Sequence, residues 1–291
     1  MDKVRIQFSR FSAFYSPLIL TIAGNFLKEE GLETEWSIAN SPATATKELS
    51  EGSVDIIQSA VSQSFNNPPS NIIHFAQINQ MDGFFILSRT HHESFDWKKL
   101  ENSYMILQSG GQPLAMLKYA FQKAGVDFNK IKQIIPNEGL DMEETFKSGL
   151  GDYIHHQGPV PQKLEDEGYG NVVAKVGEMV GLCAFSSLAA RKEWLKTDTS
   201  AAFIRAYTKA KKFIINNDAK VIANMQSKYF PNIKISVLAD CINQYKNLGC
   251  WEGPINITEE SFNASVNIFK FNCMIDETPI YSEVCLDSSI V

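Results

Sequence analysis

Apolar and polar residues alternate from the start of the chain. Val4, Ile6 and Phe8 fall on one side and Arg5 and Gln7 on the other, which predicts an opening strand. Ser16-Pro17 then starts a helix, with Pro at an early helical position. Leu18, Ile22, Ala23 and Phe26 share one face of that helix, and Gly31 ends it. Residues 34–39 read as a second strand, 41–49 as a helix closed by Gly52, and 54–58 as a third strand. Residues 72–77 and 84–88 predict two more strands. A similar pattern then restarts: strand 104–107, helix 114–124 ended by Gly125, strand 132–135, and helix 141–148 with Asp141 as N-cap. Strand 153–156, a short helix 161–167 and strand 172–176 follow, and the apolar run 182–185 could cross back to the first lobe. From Ser187 onward the pattern predicts helices alone. A long one carries Trp194, Phe203, Tyr207 and Ala210, followed by helices 221–229, 236–248 and 259–271.

Alternating strands and helices imply mostly parallel sheets. At 291 residues the chain exceeds one ordinary core, so two lobes are expected. A βα lobe, a second βα lobe and a helical C-terminal segment returning to the first make a hinged α/β clamshell. The expected crossings lie near 89–95 and 181–187. Lobe one is then 1–90 with 185–291, and lobe two is 91–184.

Composition narrows the partners. Charged residues make up 21% and net charge is −6, with no long basic run. That argues against nucleic acid or an anionic membrane. No stretch reaches the length of an apolar membrane span. The five cysteines, Cys183, Cys241, Cys250, Cys273 and Cys285, form no CxxC pair and no zinc spacing. Reduced thiols in a reducing compartment are expected. The opening residues lack a basic region followed by an apolar stretch. A cytoplasmic location is the expectation, or an extracytoplasmic one if a leader has been removed.

In open α/β sheets ligands bind beyond the carboxyl ends of the strands. That rule selects Arg10, Phe11, Ser12 and Tyr15 after the first strand, Ser41 and Thr44 after the second, and Ser59 after the third. In the second lobe it selects Ser109, Gly110, Gly111 and Gln112, then His155, His156 and Gln157. The 109–113 loop has two glycines that let backbone approach a ligand, and it leads into a helix N-terminus. This arrangement suits a phosphate, sulfonate or carboxylate. It lacks the Gly-Lys-Ser/Thr ending of a P-loop. Ser41 fits simple N-capping as well as ligand contact. Phe11, Phe14 or Tyr15 would stack on the flat part of a ligand. Adjacent strand residues point to opposite faces, so His155 and His156 do not share a metal, and one of them would face the cleft. No HExxH, GxSxG or GxGxxG occurs. No metal and no cofactor are expected, and no residue is assigned as catalytic.

The stretch Tyr15-Ser-Pro-Leu-Ile-Leu-Thr-Ile-Ala23, then Phe26-Leu-Lys-Glu-Glu-Gly-Leu32, resembles the opening of the sulfonate/nitrate/taurine-type solute-binding proteins, relatives of the thiamine-pyrimidine synthesis proteins. Leu49-Ser-Glu-Gly-Ser-Val-Asp-Ile56 resembles their "L-x-x-G-x-x-D-I/F", and Gly149-Leu-Gly-Asp-Tyr153 their "G-x-x-D-A". With no leader in view, the chain looks like an intracellular, fungal-type member. The resemblance implies a type II periplasmic-binding-protein-like fold with a small polar, anionic ligand between the lobes and a link to thiamine or pyrimidine metabolism. It also implies an alternative, a thiamine-pyrimidine precursor synthase, for which vitamin B6 phosphate or iron would be required. Such a synthase would draw its nucleophile or base from His155, His156 or Cys183. Departures from the family pattern favour binding over catalysis. Of the "C-C-C-F-C" run only Cys183 remains in Leu182-Cys-Ala-Phe-Ser186, and Gln157-Gly158 replaces the Trp-Glu of "W-E-P".

Overall fold

The computed structural model describes residues 1–136 and 141–286. The first lobe begins with β1 (Asp2–Phe8), α1 (Ser16–Ala23), α2 (Phe26–Glu29), β2 (Leu32–Ile38), α3 (Pro42–Glu51), β3 (Ile56–Ser59) and β4 (Ile72–Asn79). The helix expected over 16–31 is broken at Gly24. A Cβ there would lie 2.5 Å from the Phe26 ring, so only glycine lets that ring fold back over the break. Ser41 caps α3, its Oγ accepting from Thr44 N at 3.1 Å, and Gly52 ends the helix at φ +83°.

The second lobe holds β5 (Phe84–Ser88), β6 (Tyr104–Ile106), α4 (Gly111–Lys123), β7 (Lys132–Ile134), α5 (Met142–Lys147), β8 (Tyr153–Gln157), α6 (Val160–Asp166), β9 (Asn171–Lys175) and α7 (Val176–Val180). The chain returns through β10 (Ser186–Arg191), and continues as α8 (Asp198–Asn216), α9 (Ala219–Gln226), α10 (Ile235–Asn247), α11 (Glu259–Phe271) and α12 (Tyr281–Val284).

Two five-stranded sheets result, ordered β2-β1-β3-β10-β4 and β7-β6-β8-β5-β9. Each is parallel except for one strand: β10 runs antiparallel to β3 and β4, and β5 runs antiparallel to β8 and β9. This corrects the expected organisation. Phe84–Ser88 pairs inside the second sheet, so the first crossing lies at residues 80–83 and not at 89–95. Four apolar residues closed by a buried serine fit the centre of either sheet, and only the pairing partners decide which. The strand β10 replaces the start of the expected all-helical region. Its small residues Ser186, Ser187, Ala189 and Ala190 gave no alternation, yet all are buried.

The C-terminal helices do not all return to the first lobe. The spacing of Phe203, Tyr207, Ala210 and Ile214 buries one face of α8, and Tyr207 Oη donates to Gln77 O of β4 at 3.0 Å. By contrast, α10 packs on α6. Tyr245 Oη accepts from Gly158 N at 2.8 Å and donates to Gly83 O at 3.0 Å. Asn272, following α11, donates to Ala115 O of α4 at 3.0 Å. The helical segment therefore clasps both lobes. No helix among the described residues is long and apolar enough to cross a membrane.

Candidate functional site

The loops at the carboxyl ends of β1 and β3 face the start of α4 and the end of β8 across the crossings. Between them lies a cleft of about 100 Å³. Both walls carry polar side chains among apolar ones. The first lobe supplies Ser9, Arg10, Tyr15, Gln58, Ser59 and Gln63, and the other side supplies Gly111, Gln112 and Gln157. Phe84, Phe185 and Ser186 close the back where the crossings pass. Arg10 is the one charged side chain among the described lining residues, and no acidic side chain joins it.

The β1 loop is held by Gln58. Its Oε1 accepts from Ser9 Oγ at 2.9 Å and from Arg10 N at 3.3 Å. The backbone of Arg10 is thereby fixed, while its guanidinium, exposed at the cleft, has no ion pair among the described residues. Tyr15 is buried, which pushes its pKa up and keeps the phenol neutral. Its oxygen accepts from Gln157 Nε2 at 3.4 Å, joining the lobes. Gln112, in the first turn of α4, spans them too: Oε1 accepts from Ser62 Oγ at 2.6 Å and Nε2 donates to Phe185 O at 2.9 Å. Gly111 sits at φ +71°, a conformation that favours glycine, and places the helix start beside the cleft.

Of the residues selected from the sequence, Arg10, Tyr15, Ser59, Gly111, Gln112 and Gln157 line this cleft together. The others are placed elsewhere. Phe11 stacks on Trp36 and meets Phe230 at a tilt, each with ring centroids at 5.4 Å, and packs against the first-lobe core. Phe14 is fully buried against Phe185 and Tyr245. Of the three rings proposed for stacking only Tyr15 lines the cleft, beside Phe84 and Phe185. Ser12 Oγ donates to Gly158 O at 2.6 Å and is a tie between the lobes. Ser41 and Thr44 satisfy each other at the α3 cap, their hydroxyls 2.9 Å apart. Ser109 and Gly110 are exposed outside the lining. The helix begins at Gly111, so these two residues precede its first turn.

The histidines do face opposite ways. His155 is buried with its ring stacked 4.6 Å from Phe84, and burial lowers its pKa to about 3. Its Nε2 has no hydrogen-bond partner. His156 is half-buried on the other side, and Nδ1 donates to Gln157 O at 2.9 Å. The Cys183 thiol is buried and pushed well above its ordinary pKa. Among the described residues no group of three or more His, Cys, Asp and Glu side chains could hold a metal ion.

Sequence reasoning missed Gln58, Gln63, Phe84, Phe185 and Ser186. A signal existed for Gln58: it is a polar residue closing the apolar run of β3, and it is buried. Substituting Ser41 by Ala is expected to cost about 1 kcal/mol of stability through the lost cap, with ligand affinity unchanged. Denaturant unfolding and a binding titration on the same variant separate the two roles. A loss of affinity without a loss of stability would return Ser41 to the binding set.

A model of the family described as "NMT1/THI5 like" matches residues 14–220. The chain belongs to the NMT1/THI5-like family. The "Putative binding protein YtlA" of Bacillus subtilis (strain 168) is 31% identical over 257 residues, covering 84% of this chain and 76% of that protein. Among solved structures, the alkanesulfonate-binding protein SsuA from Xanthomonas axonopodis pv. citri bound to MOPS superposes with a TM-score of 0.73 at 13% identity, covering 98% of each chain. A ligand-binding component of an ABC-type import system from Staphylococcus aureus, with zinc bound, gives a TM-score of 0.76 at 15% identity, covering 99% of this chain and 97% of that one. At these identities the likenesses establish the fold, a two-lobed, periplasmic-binding-protein-like α/β clamshell, as expected from the residues.

Proposed function

We propose that this family member is a solute-binding protein whose lobes close on a small monoanion of the sulfonate, carboxylate or nitrate type. The observation that carries this reading is the uncompensated Arg10 among neutral donors. Gln58, Gln112 and Gln157 line the cleft with amides that also hold the loops and lobes together, Gln63 adds a fourth amide, and no carboxylate in the lining competes for the guanidinium. The start of α4 adds backbone N–H groups and a partial positive charge on the facing side. A single cation favours one negative charge over two. The cleft, at about 100 Å³, is well below the range of roughly 300–1,000 Å³ of common ligand sites, which points to a ligand of few heavy atoms or to a closed conformation. The alkanesulfonate-binding relative shares this fold, which supports the choice of chemistry.

Catalysis in the same cleft would need a base or nucleophile facing it. Of the three candidates, Cys183 is fully buried, His155 is sealed against Phe84, and His156 is half-buried outside the lining with Nδ1 on Gln157 O. A thiamine-pyrimidine precursor therefore enters the reading as a ligand to be screened.

The test is a panel of alkanesulfonates, carboxylates, nitrate, phosphate, pyrimidines and vitamin B6 compounds, read by thermal shift and calorimetry. A monoanion is expected to raise the melting temperature, and Arg10→Gln to weaken its binding roughly ten- to a hundredfold, the worth of one charge-assisted hydrogen bond. A neutral or cationic compound as the strongest binder, or an Arg10→Gln variant with unchanged affinity, would sink the proposal.

A further inference from the structure

A second cavity lies away from the cleft, at the β4 edge of the first sheet. It has a volume of about 570 Å³, larger than the cleft itself. The edge strand β4 forms one wall through Ile73, and the first turns of α8 form the opposite wall through Ala201 and Ile204. Leu195 and Leu286 complete an apolar floor. The Leu286 wall is pinned in place, its backbone N–H donating to His74 O at 2.8 Å.

The rim has one sign of charge. Lys192 and Lys196 stand at the mouth, and neither has an ion pair among the described residues. Arg205 also borders the cavity, but Glu30 holds its guanidinium at 2.7 Å, so its charge is already answered. No acidic side chain is among the described lining residues, although the chain as a whole carries a net charge of −6. An apolar trough of this size with two unpaired lysines at its rim is suited to a molecule with two ends. A hydrocarbon tail would gain by leaving water along Ile73, Leu195 and Ile204. A single negative headgroup would lie between the two lysines at the mouth. Neither neutral lipids nor cationic amphiphiles would satisfy both parts.

We propose that this groove is a binding site for a soluble, medium-chain alkyl monoanion of the fatty-carboxylate class, independent of the interlobe cleft. The tail lies on the β4–α8 floor and the carboxylate meets Lys192 and Lys196. The cleft is too small for a chain of this length and is lined by polar groups, so the two sites select different molecules.

The experiment uses the full chain and sodium decanoate below its micellar concentration, titrated by calorimetry beside decanol and decyltrimethylammonium. Saturable binding of one decanoate is expected, with the neutral and cationic analogues about tenfold weaker or worse. Two variants test the place. Lys192→Glu/Lys196→Glu reverses the rim, and Ala201→Trp fills the trough from an exposed position. Each should weaken decanoate about tenfold or more while circular dichroism and unfolding midpoint stay as in the parent. Arg10→Gln should leave decanoate binding unaltered, which separates this site from the proposed cleft function. The proposal is overturned by absence of saturable binding, by equal binding of the three amphiphiles, or by loss with Arg10→Gln but not with the rim variant. Binding that appears only after removal of residues 287–291 would also overturn it, in favour of the chain's own residues as occupant.

Discussion

Asp82→Asn is expected to raise the free energy of unfolding by about 3 kcal/mol at pH 7 and to leave it nearly unchanged at pH 4. Asp82 lies in the first crossing and is fully buried. Oδ1 accepts from Phe84 N at 2.7 Å, while Oδ2 has no partner. Burial raises the carboxyl pKa to about 8, opposed only by that one hydrogen bond. The folded state therefore holds a proton that the unfolded chain releases near its ordinary value of 3.8. Between those two values the native state binds more protons, so stability falls as pH rises through the window. Asparagine keeps the acceptor for Phe84 N and has no charge to suppress. Its new N–H₂ lacks a partner and gives back part of the gain. His74 and His155, with pKa values lowered by burial to about 4 and about 3, act in the opposite sense below pH 6.5. They are common to both proteins and cancel in the difference. Urea unfolding of parent and variant at several pH values provides the check. A difference that is constant from pH 4 to pH 8 would mean that Asp82 is not the titrating group.

The second large effect also concerns this crossing. Gly177→Ala is expected to destabilise the fold by about 3 kcal/mol, despite the better helix propensity of alanine. Gly177 lies in α7, and a Cβ there would sit 2.3 Å from Asp82 O and 3.0 Å from Leu248 Cδ2. The Leu248 side chain can yield, but a main-chain carbonyl moves only with the crossing that carries it. That displacement would carry through Gly83 to Phe84 at the back of the cleft, so ligand affinity should fall together with stability. Gly110→Ala is the matched control. Its backbone is extended and nothing lies within 4 Å of the added carbon, so a change within about 0.5 kcal/mol is expected. Guanidinium unfolding of the two variants decides the matter. A Gly177→Ala protein as stable as the Gly110→Ala protein would show that the crossing is free to shift.

Both positions show how far local pattern can be followed. Nothing in Met81-Asp82-Gly83 marks a buried carboxyl, because the burial is produced by segments far away in the chain. Cys183 and Cys250 are brought beside the crossing by hydrogen bonds of Cys183 N to Gln80 O and of Gln80 N to Cys250 O, both 2.9 Å. The cleft was legible to the extent that it follows strand ends. Arg10, Tyr15, Ser59 and Gln157 lie where a strand of known direction terminates, and Gly111 and Gln112 where a helix follows a glycine turn. Phe11 failed because an aromatic residue in a loop can turn either to the cleft or to the core. Trp36 and Phe230, distant in sequence, provided the better-packed partner.

Most of the strands and helices, the α/β class and the division into two lobes were legible in the sequence, because each rests on periodicities and caps that act within a few residues. Also legible there were the net charge and the opposite facing of the adjacent strand histidines. The tertiary structure alone decided that Phe84–Ser88 enters the second sheet, that β10 returns antiparallel to the first, and that the C-terminal helices clasp both lobes. The physical reason is the same in each case. A buried apolar run satisfies its side chains in any core, and the choice among cores is made by backbone hydrogen bonds between residues that are close only after folding. Those long-range pairings also bring one arginine and four glutamines around the cleft.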